Sequence, residues 1–347
     1  MDKLKPICMT VLFTTLHFLV DGICGLVIAS SLVTDDINQA LIVYLIYNFL
    51  AFCTQPLVGF FIDKYKNKER LFLIIAIVFL LLGVIFKFQY IAGAILLGIG
   101  NSFFHVSGGK YVISKTNNDI VSLGIFVATG ALGLAIGTYI HHAAIWLSFI
   151  TITIIVTLII VLSKDTVEED SIVGKKTSFS LNWLITLSIL VVTVVFIRSY
   201  IGKVAYLPFD KPLWVLIAFG GVAMLGKMIG GILAKYIGIN ITIISTMILS
   251  MICLIFFYDN VYLALIGLLL FNCSMPLTLY LMNELLKGSE GFAFGLLAAF
   301  LAPAYFLGAI PTSNPKLVAQ ICIAVGCLLS IVMVIITNYK LSKERGN

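Results

Sequence analysis

The sequence predicts an all-α polytopic membrane protein, with twelve transmembrane helices in two six-helix pseudo-repeats. Three observations predict it. The 347 residues are 61% hydrophobic and only 11% charged, with a mean hydropathy of +1.12. A water-soluble core of this size cannot hide so much apolar side chain. The apolar residues also fall into runs of about 20, the length that crosses roughly 30 Å of hydrocarbon. Finally, one fixed offset of 171 relates Gly59 and Tyr65 to Gly230 and Tyr236, Asn101 to Asn272, Gly124 to Gly295, Ala128 to Ala299, and Gly137 to Gly308. A spacing that recurs along the chain marks a duplicated unit, and two such membrane halves suit a carrier that rocks about a central site.

The runs follow in order. The first six are 8–30, 39–61, 71–88, 91–114, 120–140 and 143–163; the second six are 182–202, 213–236, 239–257, 261–285, 291–310 and 317–338. The opening run is long, contains Asp21 and lacks a small-x-small cleavage site, so it is read as a first span that stays in place. Ser163 to Asn182 is the longest polar stretch, and its Lys164, Asp165, Glu168, Glu169, Asp170, Lys175 and Lys176 suit a solvated linker. The expected division is therefore an N-terminal bundle 1–163, a cytoplasmic linker 164–181 and a C-terminal bundle 182–347. Gly202 to Pro212 reads as an ordered outer loop.

Charge sets the expected orientation. With both termini cytoplasmic, fifteen of the 22 Lys/Arg lie on the inner side. Lys87, Lys203, Lys211 and Lys316 remain outside, and three fall within spans. That asymmetry follows the positive-inside rule and sets the orientation; a multi-pass protein of the cytoplasmic membrane is expected. The basic residues are dispersed, so the net charge of +6 argues against nucleic-acid binding.

Other chemistries find no motif. The seven cysteines lie in or beside apolar spans without a Cys-x-x-Cys pair, so no disulfide framework or thiolate metal site is expected. His141 and His142 are adjacent and point apart on a helix, and a site there would need ligands from elsewhere. No metal and no cofactor is assigned. There is no Walker stretch, no His-Glu-x-x-His and no Gly-x-Ser-x-Gly, so neither direct ATP use nor an enzyme is expected.

After the second run the chain reads Gly59-Phe-Phe-Ile-Asp63-Lys64-Tyr65-Lys66-Asn67-Lys68-Glu69-Arg70. Gly59 permits close helix approach, and a carboxylate such as Asp63 at a membrane edge is stabilised by a helix N-terminus or a cation. This stretch resembles the signature between helices two and three of the major facilitator superfamily, with Lys66 where that family has Gly. The resemblance extends to the whole chain through the twelve spans, the six-plus-six division and the weaker repeat at 230–236. It implies that Gly59, Asp63, Lys64 and Arg70 form a cytoplasmic gate, with Asp63 meeting the eleventh span near Gly291. The plainer alternative is a solvated, positively charged loop. At 234 an alanine replaces the acid.

Ionisable residues inside spans are costly and mark pathways. His17 and Asp21 sit four apart on one face of span one, near mid-membrane. Asn101, His105 and Gly108 share a face of span four, followed by Lys110. Arg198 lies in span seven, Lys227 in span eight, and Asn272, Ser274, Asn283 and Glu284 in span ten. In the major facilitator fold, the resemblance implies, spans one, four, seven and ten line the cavity.

Asp21 with His17 is read as a proton-coupling pair; a structural ion pair with Arg198 or another cation, or a simple interhelical hydrogen bond, are the alternatives. His105 either lines the site or packs through Asn101. Arg198 offers a planar fork of donors for carboxylate or phosphate. With Lys110, Lys227, His105, Asn101 and Asn272 it forms the expected binding set for a small anionic or zwitterionic substrate. The competing reading anchors a cationic drug on Asp21.

His17-Phe-Leu-Val-Asp21 and Gly98-Ile-Gly-Asn-Ser-Phe-Phe-His-Val-Ser-Gly-Gly109 resemble the helix-one and helix-four patterns of the fosmidomycin-resistance branch, with Val106 where that branch has Pro. This implies proton-driven export of a phosphonate-like compound. Gly130, Gly133 and Gly137 resemble a glycine-rich antiporter motif without its Pro, and close helix packing accounts for them equally. The expected protein is a monomeric, proton-coupled exporter. An uptake symporter, or a non-transporting scaffold or receptor of the same fold, are the rivals.

Overall fold

The computed structural model describes residues 4–32, 36–65, 68–139, 148, 151–156 and 179–346. Among them there is no strand. The helices are α1 (Leu4–Ser31), α2 (Ile37–Asn48), α3 (Gln55–Lys64), α4 (Glu69–Ile85), α5 (Tyr90–Lys115), α6 (Ile120–Tyr139), α7 (Leu181–Val204), α8 (Leu213–Ile237), α9 (Ile239–Phe256), α10 (Val261–Asn272), α11 (Ser274–Leu285), α12 (Glu290–Ala299), α13 (Leu301–Gly308) and α14 (Pro315–Glu344).

Ten helical stretches among the described residues are long and apolar enough to cross a membrane, some of them made of two helices in line, such as α10 with α11 and α12 with α13. The 17-residue α4 adds an eleventh apolar helix. The expected span 143–163, the histidines at 141 and 142, and the linker as far as residue 178 lie largely or wholly outside the described residues. The twelve expected spans are thus met by eleven helical stretches, with residues 151–156 of the sixth run also helical.

Local chemistry sets the boundaries. Asp36 accepts hydrogen bonds from the Asn38 and Gln39 amides and starts α2. Asn260 does the same for α10 through Tyr262 and Leu263, and Asn314 caps α14 at Leu317. Between α2 and α3, Phe49–Cys53 widens into a π turn. Carbonyl groups around that turn are met from side chains, Leu50 by the Thr54 hydroxyl at 2.6 Å and Ala51 by the Gln55 amide at 2.7 Å. Gly238 joins α8 to α9 at φ +86°, a conformation that glycine adopts without strain.

The helices are apolar on their outer faces as well as inside. Ile37, Leu57, Phe60, Ile189, Ile241 and Val332 are all exposed, as expected of helices bathed in lipid. Trp183 and Trp214 stand near helix starts, with Lys340 over the Trp183 ring and Tyr262 stacked on Trp214, in keeping with interfacial aromatic anchors.

Two compact units emerge, and they do not follow the sequence halves. One comprises residues 1–117, 129–173 and 288–299; the other comprises 118–128, 174–287 and 300–347. Each unit takes in a short segment from the opposite half. Under the offset of 171 the exchanged segment 118–128 corresponds to 289–299, within one residue of the other segment, 288–299, and the divisions after Ala128 and Ala299 coincide. The turns that precede them match too: Asn117 (φ 51°) and Gly288 (φ 88°) both take the left-handed conformation. The repeat read from glycines is therefore also a repeat of backbone geometry.

Candidate functional site

The first unit holds a buried polar cluster. His17 and Asp21 lie one turn apart on α1, which brings both side chains to one face, and α5 presents Asn101 and His105 to them. His17 and His105 are buried, and Asn101 is almost completely so. His17 Nε2 stands 3.3 Å from Asp21 Oδ2, and His105 Nε2 stands 3.4 Å from Asp21 Oδ1. The two Nε2 atoms are 2.9 Å apart, with the rings edge-on. Asn101 donates from Nδ2 to Asp21 Oδ1 at 3.1 Å, and the same nitrogen lies 3.7 Å from Cys24 Sγ.

Donor counting shows what this arrangement holds. His105 Nδ1 is 2.9 Å from the Asn101 carbonyl, which can only accept, so Nδ1 carries a proton. A neutral His105 then turns a lone pair at Nε2 toward His17 Nε2 and the carboxylate. His17 Nε2 therefore supplies the hydrogen between the two rings, as the neutral Nε2–H tautomer or as imidazolium. With one proton on His17 Nε2, that atom can donate to its neighbours; a second on His105 Nε2 completes a charge-assisted network. Asp21 keeps 17% of its side chain exposed.

Glycine makes the space. A side chain at 130 on α6 would occupy the positions of Asp21 Oδ2 and His17 Nε2. Further along the same stripe, Gly133 lies against the Phe18 carbonyl and Gly137 against that of Gly22. The stripe thus packs α6 on α1 and clears room for the charged side chains. Thr129 adds a hydrogen bond to the Thr14 carbonyl at 2.7 Å.

A second cluster of the first unit surrounds Asp63. Its two oxygens accept the Gly291 and Phe292 amides at 3.0 and 2.7 Å, the free N–H groups at the start of α12. Gly59 lies directly against the Gly291 carbonyl, and Gly295 against that of Gln55, so a Cβ at either would strike backbone. Lys110 Nζ reaches Asp63 at 3.4 Å, Glu69 at 3.1 Å and the Ile62 carbonyl at 3.1 Å. Lys110, expected in the substrate-binding set, thus sits beside Asp63, a turn and a half beyond His105 on α5. Lys64 lies over the Tyr65 ring at 5.8 Å. Arg70 is half-buried in the first turn of α4.

The other candidates belong to the second unit. Arg198 is buried on α7, and its Nη1 meets no acceptor among the described residues. Lys227 donates to the Val127 carbonyl at 3.0 Å, and Asn272 donates to Leu268 of its own helix at 2.8 Å. Where Ala234 stands in place of an acid, the next residue supplies the contact instead. Lys235 pairs with Asp119 at 2.9 Å. Burial raises the Asp119 carboxyl, but hydrogen bonds from Lys235 and from the amide and hydroxyl of Ser122 outweigh it and hold it below the usual carboxylate range. Sequence reading missed this pair, although Asp119 and Lys235 are the repeat equivalents of Glu290 and Lys64. Glu284, named in span ten, is buried and accepts from Asn118 at 2.8 Å and pairs with Lys287 and Arg345, partners that the sequence did not indicate.

No protein-family model matches the chain, and no curated protein does. Among solved structures it is similar to a variant of the E. coli fucose:proton symporter FucP, with a TM-score of 0.66 at 15% identity, covering 94% of this chain and 99% of that one. The fold is the major facilitator fold. At that identity the likeness concerns the fold, whose helices α1 and α5 here carry the Asp21 cluster. It does not reach the fosmidomycin-resistance branch.

Proposed function

We propose that the chain is a secondary carrier that works by alternating access and couples movement of a small solute to protons through Asp21 and His17, with His105 as their partner. The observation that carries this reading is the convergence of two imidazoles and a carboxylate, buried in helices of membrane-spanning length, around a position that a proton has to fill. Ionisable groups at such depth are retained where they serve a pathway. The major facilitator fold supports carriage over enzymatic activity or scaffolding.

Arg198, whose Nη1 is unsatisfied and which has no carboxylate partner among the described residues, supports an anionic or zwitterionic substrate. In the second unit Asn272 and Lys227 join Arg198 as proposed substrate contacts; in the first, His105 and Asn101 are the proposed contacts and Lys110 serves the gate. Gly59, Asp63, Lys64 and Arg70 form that gate, whose closed form is the Asp63 contact with the start of α12. The direction proposed is export by antiport, on the patterns around His17 and His105 that resemble the fosmidomycin-resistance branch. Uptake by symport is the second reading, supported by the fucose:proton symporter of the same fold. The distribution of Lys and Arg supports an orientation in the cytoplasmic membrane with both termini inside, and a monomer is the proposed state.

Purified protein in liposomes tests the reading. A pH-sensitive dye inside reports proton movement while anionic metabolites, phosphonates and cationic drugs are presented in turn. Proton flux with one anionic or zwitterionic compound, lost in Arg198→Gln, supports it. Flux only with cationic drugs, unaffected by Arg198→Gln, overturns the substrate assignment.

A further inference from the structure

The Asp21 cluster has the composition of a metal site as well as of a proton site. His17, Asp21 and His105 each offer a ligand atom, and the three lie within 4.8 Å of one another. Around a zinc-like ion held at about 2.0–2.1 Å, tetrahedral geometry sets neighbouring donors about 3.3 Å apart. The carboxylate oxygens stand 3.3 Å from His17 Nε2 and 3.4 Å from His105 Nε2. The two Nε2 atoms, 2.9 Å apart, need only withdraw by a few tenths of an ångström.

The surroundings suit ligation. The Asn101 carbonyl holds the proton of His105 at Nδ1 and so leaves Nε2 to bind, as an outer-shell partner does for metal-bound histidine. Asn101 supplies an independent sign. Its Oδ1 is buried and accepts no hydrogen bond, while its Nδ2 touches both Asp21 and Cys24. Rotation of that amide turns an unused oxygen toward the cluster as a fourth donor. Two imidazoles with a carboxylate favour first-row transition ions over magnesium or calcium, which prefer oxygen alone. Sequence reading found no such set because the histidines are 88 residues apart, and the neighbouring pair at 141 and 142 drew attention instead.

We propose that this cluster binds one divalent first-row transition-metal ion, zinc-like in its preferences, through His17 Nε2, His105 Nε2 and the Asp21 carboxylate. The inference goes beyond the proposed function and requires neither Arg198 nor a direction of transport.

Untagged wild-type protein in detergent, equilibrated with zinc against an excess of magnesium, is expected to retain about one zinc per chain by elemental analysis. His105→Gln and Asp21→Asn are expected to weaken zinc at least ~10-fold, and Arg198→Gln to leave it unchanged. X-ray absorption at the zinc edge of the wild type needs no variant and is expected to show imidazole nitrogen and no sulfur. Zinc that magnesium displaces, zinc bound through sulfur, or binding undiminished in correctly folded His105→Gln and Asp21→Asn overturns the proposal. Proton movement in liposomes kept metal-free with a chelator separates the two readings: if it persists while zinc fails to bind, only the metal site is lost.

Discussion

The Nε2 atoms of His17 and His105 stand 2.9 Å apart at the centre of a carboxylate-bearing cluster. Each ring lies on a different helix, and the contact exists because Asn101 orients one ring while Gly130 leaves space for the other with its aspartate. The site is therefore as sensitive to those two positions as to the titratable groups.

Gly130→Ala should disturb the cluster without separating the helices. Its methyl would meet His17 and Asp21 side chains, which can shift, whereas in Gly133→Ala it would meet the Phe18 backbone, which cannot. Overpacking of this kind costs about 1–3 kcal/mol. Thermal unfolding in detergent should show a clear fall in Tm for Gly133→Ala and a smaller one for Gly130→Ala. Proton-coupled flux should instead fall most in Gly130→Ala. Equal loss of stability in both would remove the distinction.

Asp63→Asn should loosen the start of α12. The amide presents one acceptor oxygen and no charge where the carboxylate accepts two N–H groups. A charge at a helix N-terminus contributes about 0.3–1 kcal/mol at exposed sites and up to ~2 when partly buried. Cys53 provides a native reporter, since its thiol lies 3.7 Å from the Ala299 carbonyl at the far end of the same helix. Thiol modification of Cys53, followed by mass spectrometry, should accelerate several-fold in Asp63→Asn; an unchanged rate would mean that the carboxylate does not hold this contact.

The Asp119 and Lys235 pair carries a pH signature. A carboxyl held below its unfolded value contributes stability that is present above that value, near 3.9, and is lost as pH falls through the folded one. Lys235→Met removes the main partner. The wild type should therefore lose more thermal stability than Lys235→Met when taken from pH 6 to pH 3. The difference at pH 6 should be small, because the lysine is half exposed. Parallel curves for the two proteins would count against this assignment.

Much of the fold was legible because membrane helices announce themselves by length and hydropathy, and because duplication leaves one offset in the sequence. The glycines at 59, 230, 124 and 295 mark close helix approaches in both repeats, and the structure places backbone carbonyls against all four. What could not be read is which distant residues meet. Nothing local links residue 17 to residue 105, and the reach of Lys110 toward Asp63 depends on how α5 lies beside α3 and α4. The exchanged segments were invisible for the same reason: each continues an unbroken apolar run, and only packing shows that 288–299 joins the unit of the other half. The reversed pairing of Lys235 with Asp119 was within reach, had charge been compared across the repeat after Ala234 removed the acid.

The coupling proton is proposed to reside on the Asp21 cluster. That assignment is tested most directly in proteoliposomes containing wild-type, Asp21→Asn or His105→Gln protein, with internal pH and substrate followed together under an imposed substrate gradient. Proton movement should be locked to substrate movement in the wild type and fall by at least ~10-fold in both variants, with each variant still folded and monodisperse. Coupled proton flux undiminished in Asp21→Asn and His105→Gln would contradict it.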